Sequence, residues 1–247
     1  TIIKKQIKLI DYENIRDQKG LRYLGFGRFA GIVGCFNTLN LILLINNHKG
    51  IERAYKINNY EKLCQNIKKI SFPKIKLLVT GDGRVARGVI ELLKKTNIRQ
   101  INKEEFLKSE INEPVFCNLQ TKDYLTNSLK KSFDLSHFIN FPSDYSSSAL
   151  PYLKKSDVFI SAHYWDPNSP KIFEKNQLNQ LSKLKIIGDI TCDVDGSIPT
   201  TIKSTTIEDP FFYINRETMK ESEANNKDLC VMAVDNLPSE LPRDSSL

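Results

Sequence analysis

The chain has 247 residues, 40% hydrophobic and 26% charged, enough for a sizeable core and unlike a disordered or low-complexity protein. Its formal charge of +7 comes from lysines dispersed among Ile and Asn rather than interleaved with aromatics, so no nucleic-acid partner is expected. Cys35, Cys64, Cys117, Cys192 and Cys230 form no C-x-x-C pair, and His48, His137 and His163 lack ligand spacing. Neither disulfides nor a metal site is therefore expected, but free thiols in a reducing, cytoplasmic compartment are. The chain opens on Thr1 without a signal-peptide pattern and stops at Ser245-Ser246-Leu247, so a fragment is expected.

In chain order, Ile7–Ile10 reads as a short strand, followed by a polar turn at Asp17-Gln18-Lys19-Gly20. Phe29–Ile45 is the most apolar stretch. Asn37, Thr38 and Asn40 interrupt it and no basic cluster flanks it, so a buried helix is expected and no membrane partner. Gly31 and Gly34 would suit close packing of that helix against a neighbour. Asn58–Lys69 has the pattern of an amphipathic surface helix.

From Ile75 onward strands and helices alternate. Strands are predicted at Lys76–Thr80, Ile98–Ile101, Val115–Leu119, His137–Phe141, Val158–Ala162, Ile186–Ile190 and Val231–Val234. Helices are predicted at Val89–Lys95, Ser148–Lys155 and Lys171–Leu181. Short apolar strands separated by helices imply an α/β fold, a Rossmann-like doubly wound parallel sheet covered on both faces.

The first of these strands ends in Gly81-Asp82-Gly83-Arg84-Val85-Ala86, with a helix-like segment directly behind it. That setting suits a dinucleotide: one glycine for the tight turn, a second for close approach of the pyrophosphate, and a small third residue for helix–strand packing. Ligands on such a sheet sit beyond the carboxyl ends of the strands. The residues there are Gly81–Arg84, Asn102, His163–Asp166, Asp189–Gly196 and Asp235-Asn236. About 20 residues after the glycines an acid commonly binds the ribose 2′-OH. Asn102 stands there, with Arg99 and Lys103 nearby, so NAD versus NADP stays open.

Further segments carry a family resemblance. Gly20-Leu21-Arg22-Tyr23-Leu24-Gly25-Phe26-Gly27-Arg28-Phe29-Ala30-Gly31 resembles the G-x-R-x-x-x-F-G-x-x-A-G segment of lysine-forming saccharopine dehydrogenases and of lysine–ketoglutarate reductases. Asp189–Ile198 resembles their D-I-S-x-D-x-x-G-S-I segment, continued by Thr205–Phe211, and Val234–Pro242 is similar to their D-N-L-P-x-x-L-P. Alanine dehydrogenases, with weaker forms of these motifs, are the nearest alternative.

The resemblance implies a dinucleotide domain inserted into a substrate domain. Residues 1–27 would be a remnant of the substrate domain. Residues 28–237 would be the NAD(P) domain, with 28–45 as connecting helix, and 238–247 the return to the substrate domain. Cofactor-binding residues would be Gly81, Gly83, Arg84 and Val85 at the phosphates and ribose, with Asn102 at the ribose position. Ala162 and His163 would lie along the cofactor, and Asp189, Ile190, Thr191 and Asn236 near the nicotinamide, while Asp193, also a cofactor-binding candidate, matches a catalytic-site aspartate of the alanine dehydrogenases. Arg22, Phe26 and Tyr164 would meet the substrate, Arg22 by pairing with a carboxylate.

The implied activity is hydride transfer between NAD or NADP and saccharopine, interconverting it with L-lysine and 2-oxoglutarate. An alanine dehydrogenase-like enzyme or a non-catalytic dinucleotide-binding module are the other readings. The family's proton-transfer Lys and His belong to a segment preceding one that resembles Thr1–Gln6, so no catalytic residue is expected in this chain. Thr1–Gln6 also nearly abuts Ile7–Asp11, where the family has an intervening helix.

Overall fold

The computed structural model describes residues 1–18, 20, 22–108, 110–223 and 228–247. Lys19 of the expected turn and Leu21 of the first family segment lie outside the described residues. Helix α1 (Gly27–Ile45) is followed by α2 (Ala54–Ile57) and α3 (Tyr60–Ile67). Strand β1 (Lys76–Thr80) leads into α4 (Arg84–Leu93), β2 (Arg99–Gln100), α5 (Lys103–Lys108) and β3 (Val115–Leu119). Next come α6 (Thr121–Tyr124), β4 (Leu125–Asn127), α7 (Leu135–Asn140), β5 (Tyr145–Ser147), α8 (Leu150–Lys155) and β6 (Val158–Ser161). The chain continues through β7 (Ile186–Asp189), β8 (Phe211–Ile214), β9 (Glu221–Ser222), β10 (Leu229–Met232) and α9 (Pro242–Ser245).

Eight strands form one sheet in the order β2-β3-β1-β6-β7-β10-β8-β9. From β2 to β10 every pairing is parallel, while β8 and β9 add an antiparallel edge. After β1 the chain builds outward on one side, then crosses back to start β6 on the other. The strand order therefore reverses between β1 and β6, where a doubly wound sheet opens a ligand crevice. The α/β, doubly wound expectation is met.

Both faces of the sheet are buried, which explains the near-continuous apolar strands. Leu77 and Val79 of β1 point into a core shared with α1, α3 and α4. Leu78, between them, points into a second core with α5, α7 and α8. Helix α1 is long and apolar enough to cross a membrane by composition, yet most of it is buried inside the protein. It packs on α4 and on β7. The crossing with α4 is backbone to backbone: a Cβ at Gly31 would overlap the Val85 carbonyl, and one at Gly88 the Arg28 carbonyl. At its rim, Arg28 makes a two-pronged bond to Glu91, 2.8 and 2.6 Å, and the Tyr60 hydroxyl donates to the same carboxylate at 2.5 Å.

Three sequence expectations are corrected. Ile7–Ile10 is not a strand: among the described residues none pairs with it as a strand, and Ile10 is 78% exposed. His137–Phe141 lies in and just beyond helix α7, because the Asp134 carboxylate accepts from the His137 amide at 2.7 Å and Pro142 stops the helix one turn later. Lys171–Leu181 contains only a 3-10 segment, Lys175–Gln180, whose single buried residue, Leu178, offers no apolar stripe to extend it. The separate antiparallel pair β4–β5, α5 and the β8–β9 edge were not anticipated.

Candidate functional site

The carboxyl ends of β1, β6 and β7 meet at the strand reversal. Gly81 has φ +121°, a left-handed-side conformation suited to glycine, and a Cβ there would come within 2.5 Å of the Ala162 carbonyl oxygen. Its amide donates to Leu119 of β3 at 2.9 Å, so the turn is tied to the strands on both sides. Gly83 is different. It is extended, at φ −79° and ψ −167°, and a Cβ on it would touch nothing within 4 Å.

No side chain caps the start of α4, and the first bond of its ladder runs from the Arg87 amide to the Gly83 carbonyl at 3.1 Å. Among the described residues no acceptor meets the amides of Gly83, Arg84, Val85 or Ala86. Bare amides and the positive helix end face an open space, a ready anion site. Asp82 turns aside: it accepts from the Thr121 hydroxyl at 3.2 Å and the Thr121 amide at 3.4 Å.

The Arg84 side chain also leaves the loop. Its guanidinium donates to the Arg22 carbonyl at 3.2 Å and lies over Gly25, where a Cβ would be 2.8 Å from Nη1. Arg84 thus couples the loop to the segment bearing the other candidates, Arg22 and Phe26. Phe26 is exposed and meets Tyr12 edge-on at 6.2 Å between centroids. Val85 presents its side chain to α1, and only its amide faces the opening.

Behind the glycine turn lies His163, 8% exposed, with Nδ1 2.8 Å from the Thr80 hydroxyl and its ring tilted against Tyr124. Burial lowers its pKa to about 4, so the imidazole is neutral at ordinary pH. Its Nε2 is buried and, among the described residues, has no hydrogen-bond partner. Tyr164, next along, is 79% exposed.

Asp189 ends β7 and is fully buried. Its carboxylate accepts from the Thr191 hydroxyl and Thr201 hydroxyl, both at 2.6 Å, and from the Thr191 amide at 3.2 Å. Burial raises its pKa and these bonds work against that rise. Asp189 therefore anchors the 189–201 loop. Ile190 turns inward, and a Cβ at Gly34 of α1 would strike it at 2.6 Å. Asp193 is exposed and shapes the turn closed by Gly196, whose amide donates to its carbonyl at 2.9 Å. Asn236, exposed and left-handed at φ 58°, starts the 3-10 segment Leu237–Glu240 past the end of β10.

Asn102 lies past β2, but β3 separates β2 from β1. At about 4.8 Å per strand, that puts β2 roughly 10 Å from β1. The Asn102 side chain caps α5 by accepting from the Glu105 amide at 2.8 Å. Nearby cations are committed: Arg99 to Glu105 and Glu113, Lys103 to Asp123. On that side of β1 the strand next to the glycine loop is β3. Its carboxyl end supplies Asn118, whose buried Oδ1 has no partner among the described residues, and then Gln120 and Thr121. Sequence spacing alone missed these residues. The polar Gln-Thr pair directly past a strand end was the available signal.

Among the described residues no group of His, Cys, Asp or Glu could hold a metal ion. The thiols of Cys117 and Cys192 are pushed up to about 12 by burial, so they are protonated and poor nucleophiles.

No family model matches the chain. Its sequence aligns over 99% of its length, at 24% identity, with alpha-aminoadipic semialdehyde synthase, mitochondrial, of Bos taurus, of which it covers 31%. The Arabidopsis thaliana synthase matches at 27% identity over 99% of this chain and 27% of that protein. Saccharopine dehydrogenase [NAD(+), L-lysine-forming] of Candida glabrata matches at 25% identity over 96% of this chain and 57% of that protein. The chain is thus similar along nearly its whole length to these synthases and to saccharopine dehydrogenases. The resemblance carried by its motifs is thereby borne out, although the chain spans only about a third of the synthases and somewhat over half of the dehydrogenase. A solved structure titled L-alanine dehydrogenase has a TM-score of 0.45 at 13% identity, covering 96% of this chain and 54% of that one.

Proposed function

We propose that this chain is the dinucleotide-binding part of an oxidoreductase that interconverts saccharopine with L-lysine and 2-oxoglutarate, working in a reducing, cytoplasmic setting. The observation that carries the reading is the uncapped start of α4, with open space at Gly83 and bare amides behind it. The residues fit NAD or NADP on two independent counts. The Gly83 opening is a cradle that any side chain would fill, and the buried His163 Nε2 is an orphan polar atom needing a partner.

In this reading the amides of Gly83, Arg84 and Val85 hold the diphosphate. The Gly81 turn, pressed on Ala162, brings the phosphates to the strand reversal. Ribose recognition belongs to Gln120 and Thr121 with Asn102 further out, and none of the three would repel a 2′-phosphate. Neutral His163 offers a hydrogen bond without adding charge beside the cofactor. Asp189, through Thr191 and Thr201, fixes the wall formed by Ile190, Thr191 and Asp193, and Asn236 closes the far side. A bound nicotinamide supplies the hydride acceptor or donor.

Arg22 and Tyr164, on exposed segments facing outward, are assigned to the substrate, Arg22 to a carboxylate. The chain's contribution is orientation rather than proton transfer. Residues 1–27 and 238–247 belong, on this proposal, to a substrate domain into which 28–237 is inserted. A fluorescence titration with NADH and with NADPH tests it. Quenching by at least one, lost in Gly83→Val, is expected. No response to either nucleotide would refute the assignment.

A further inference from the structure

At the amino end of the same sheet, opposite the glycine loop, lies a cavity of about 550 Å3 lined by Lys74, Lys76, Lys154, Lys155 and Lys183, with Glu110 and Asp157. Topology assembles it: Lys76 opens β1, Asp157 precedes β6, Lys183 precedes β7, and Lys154 and Lys155 end α8. Five lysines thus line the cavity beside two acidic residues. Asp157 is already engaged, accepting from the Lys76 amide at 2.7 Å and pairing with Lys183 at 3.3 Å.

The ordinary explanation for Lys154 and Lys155 is complementing the negative end of α8. That end is closed by other groups: the Ser156 amide donates to Leu153, and Lys183 Nζ donates to the Lys155 carbonyl at 3.1 Å. Among the described residues no carboxylate pairs with Lys154 or Lys155, and Lys74 bonds only the neutral Asn112 side chain, at 3.2 Å. Lys76 is held deep in the wall, its ammonium bonded to the Phe106 carbonyl and over the Phe106 ring. Its pKa is lowered, first by burial and next by the charges of Lys183 and Lys155. The cluster repels itself, and the volume is that of a small-ligand site.

We infer that this cavity binds a compact anion carrying two or more phosphoryl or carboxylate groups, held by Lys74, Lys154, Lys155 and Lys183. β1 is five residues long, so such an anion sits at least about 13 Å from the glycine turn and does not overlap a dinucleotide there. The proposal is independent of the reading at the other edge.

Isothermal titration of the full chain at low ionic strength, with sodium pyrophosphate and separately with citrate, tests it. Two variants run alongside: Lys154→Gln/Lys155→Gln, and the control Lys130→Gln/Lys131→Gln. All four lysines are exposed, so folding is not at stake. Pyrophosphate binding is expected to contain a component that the first variant weakens by at least about tenfold and the control leaves within about twofold. Citrate binding at the same component identifies recognition by charge alone, and its absence identifies a phosphoryl site. Unchanged binding in Lys154→Gln/Lys155→Gln, equal losses in both variants, or no heat with either anion overturns the proposal.

Discussion

On the two proposals above, the ends of the parallel sheet would receive anions with different materials. At the carboxyl end the donors are backbone amides of Gly83, Arg84 and Val85, fixed by a turn that only Gly81 can make. Around them lie the neutral His163 imidazole and the Thr80 and Thr121 hydroxyls, with the Asp82 carboxylate bonded to Thr121. At the amino end the donors are flexible ammonium groups crowded against one another. Fixed dipoles lose little entropy on binding and respond weakly to salt, whereas exposed point charges pay for ordering and are screened within about 8 to 10 Å. One end is built for shape, the other for charge.

The comparison breaks most readily at the glycines. Gly81→Val combines a positive φ with a clash on Ala162 and is expected to destabilise the fold by about 3 kcal/mol or more in urea unfolding. Gly83→Val meets no atom, so it should cost under about 1 kcal/mol while weakening NADH by about a hundredfold. Equal stability losses in the two variants would mean that the second glycine is structural.

His163 gives the next largest effect. Its folded pKa of about 4 lies below the unfolded value of 6.5, so the unfolded chain binds the extra proton between these values. The stability from a neutral His163 is present above pH 6.5 and fades as pH falls toward 4, by about 2–3 kcal/mol at pH 4.5. Urea midpoints at pH 7 and 4.5 should differ more for the wild type than for His163→Gln.

Ribose recognition comes third. An acid on β3, adjacent to the loop, should disfavour NADPH against NADH by about tenfold in Gln120→Asp and by under about threefold in Asn102→Asp. The reverse ranking in paired titrations would return the ribose to β2. Smallest is salt. Raising NaCl from 0.05 to 0.3 M should weaken NADH by less than about threefold, and pyrophosphate at the lysine cavity by about tenfold.

The parallel body was legible because its strands are buried on both faces and so read as unbroken apolar runs, as in Lys76–Thr80 and Ile186–Asp189. Strand order was not. A two-residue β2 gives no sign of whether it or β3 lies beside β1, and the 20-residue spacing then points to Asn102. The apolar letters of His137–Phe141 suit a strand, but Asp134 as an N-cap decides for a helix. Ile7–Ile10 has strand-forming residues and nothing to pair with, since a strand is a property of two segments. The lysine cavity was invisible because its members are spread from Lys74 to Lys183 and only the fold gathers them.

The joint between α1 and α4 has a mechanical consequence. With Gly31 seated on Val85 and Gly88 on Arg28, the two helices meet main chain to main chain at two points, and side-chain packing around them resists sliding. One begins just after Phe26 and the other just after Gly83. On the proposed function, a tilt imposed on the outer arm would pass directly to the glycine loop, and the pair would act as a lever between the two proposed binding regions.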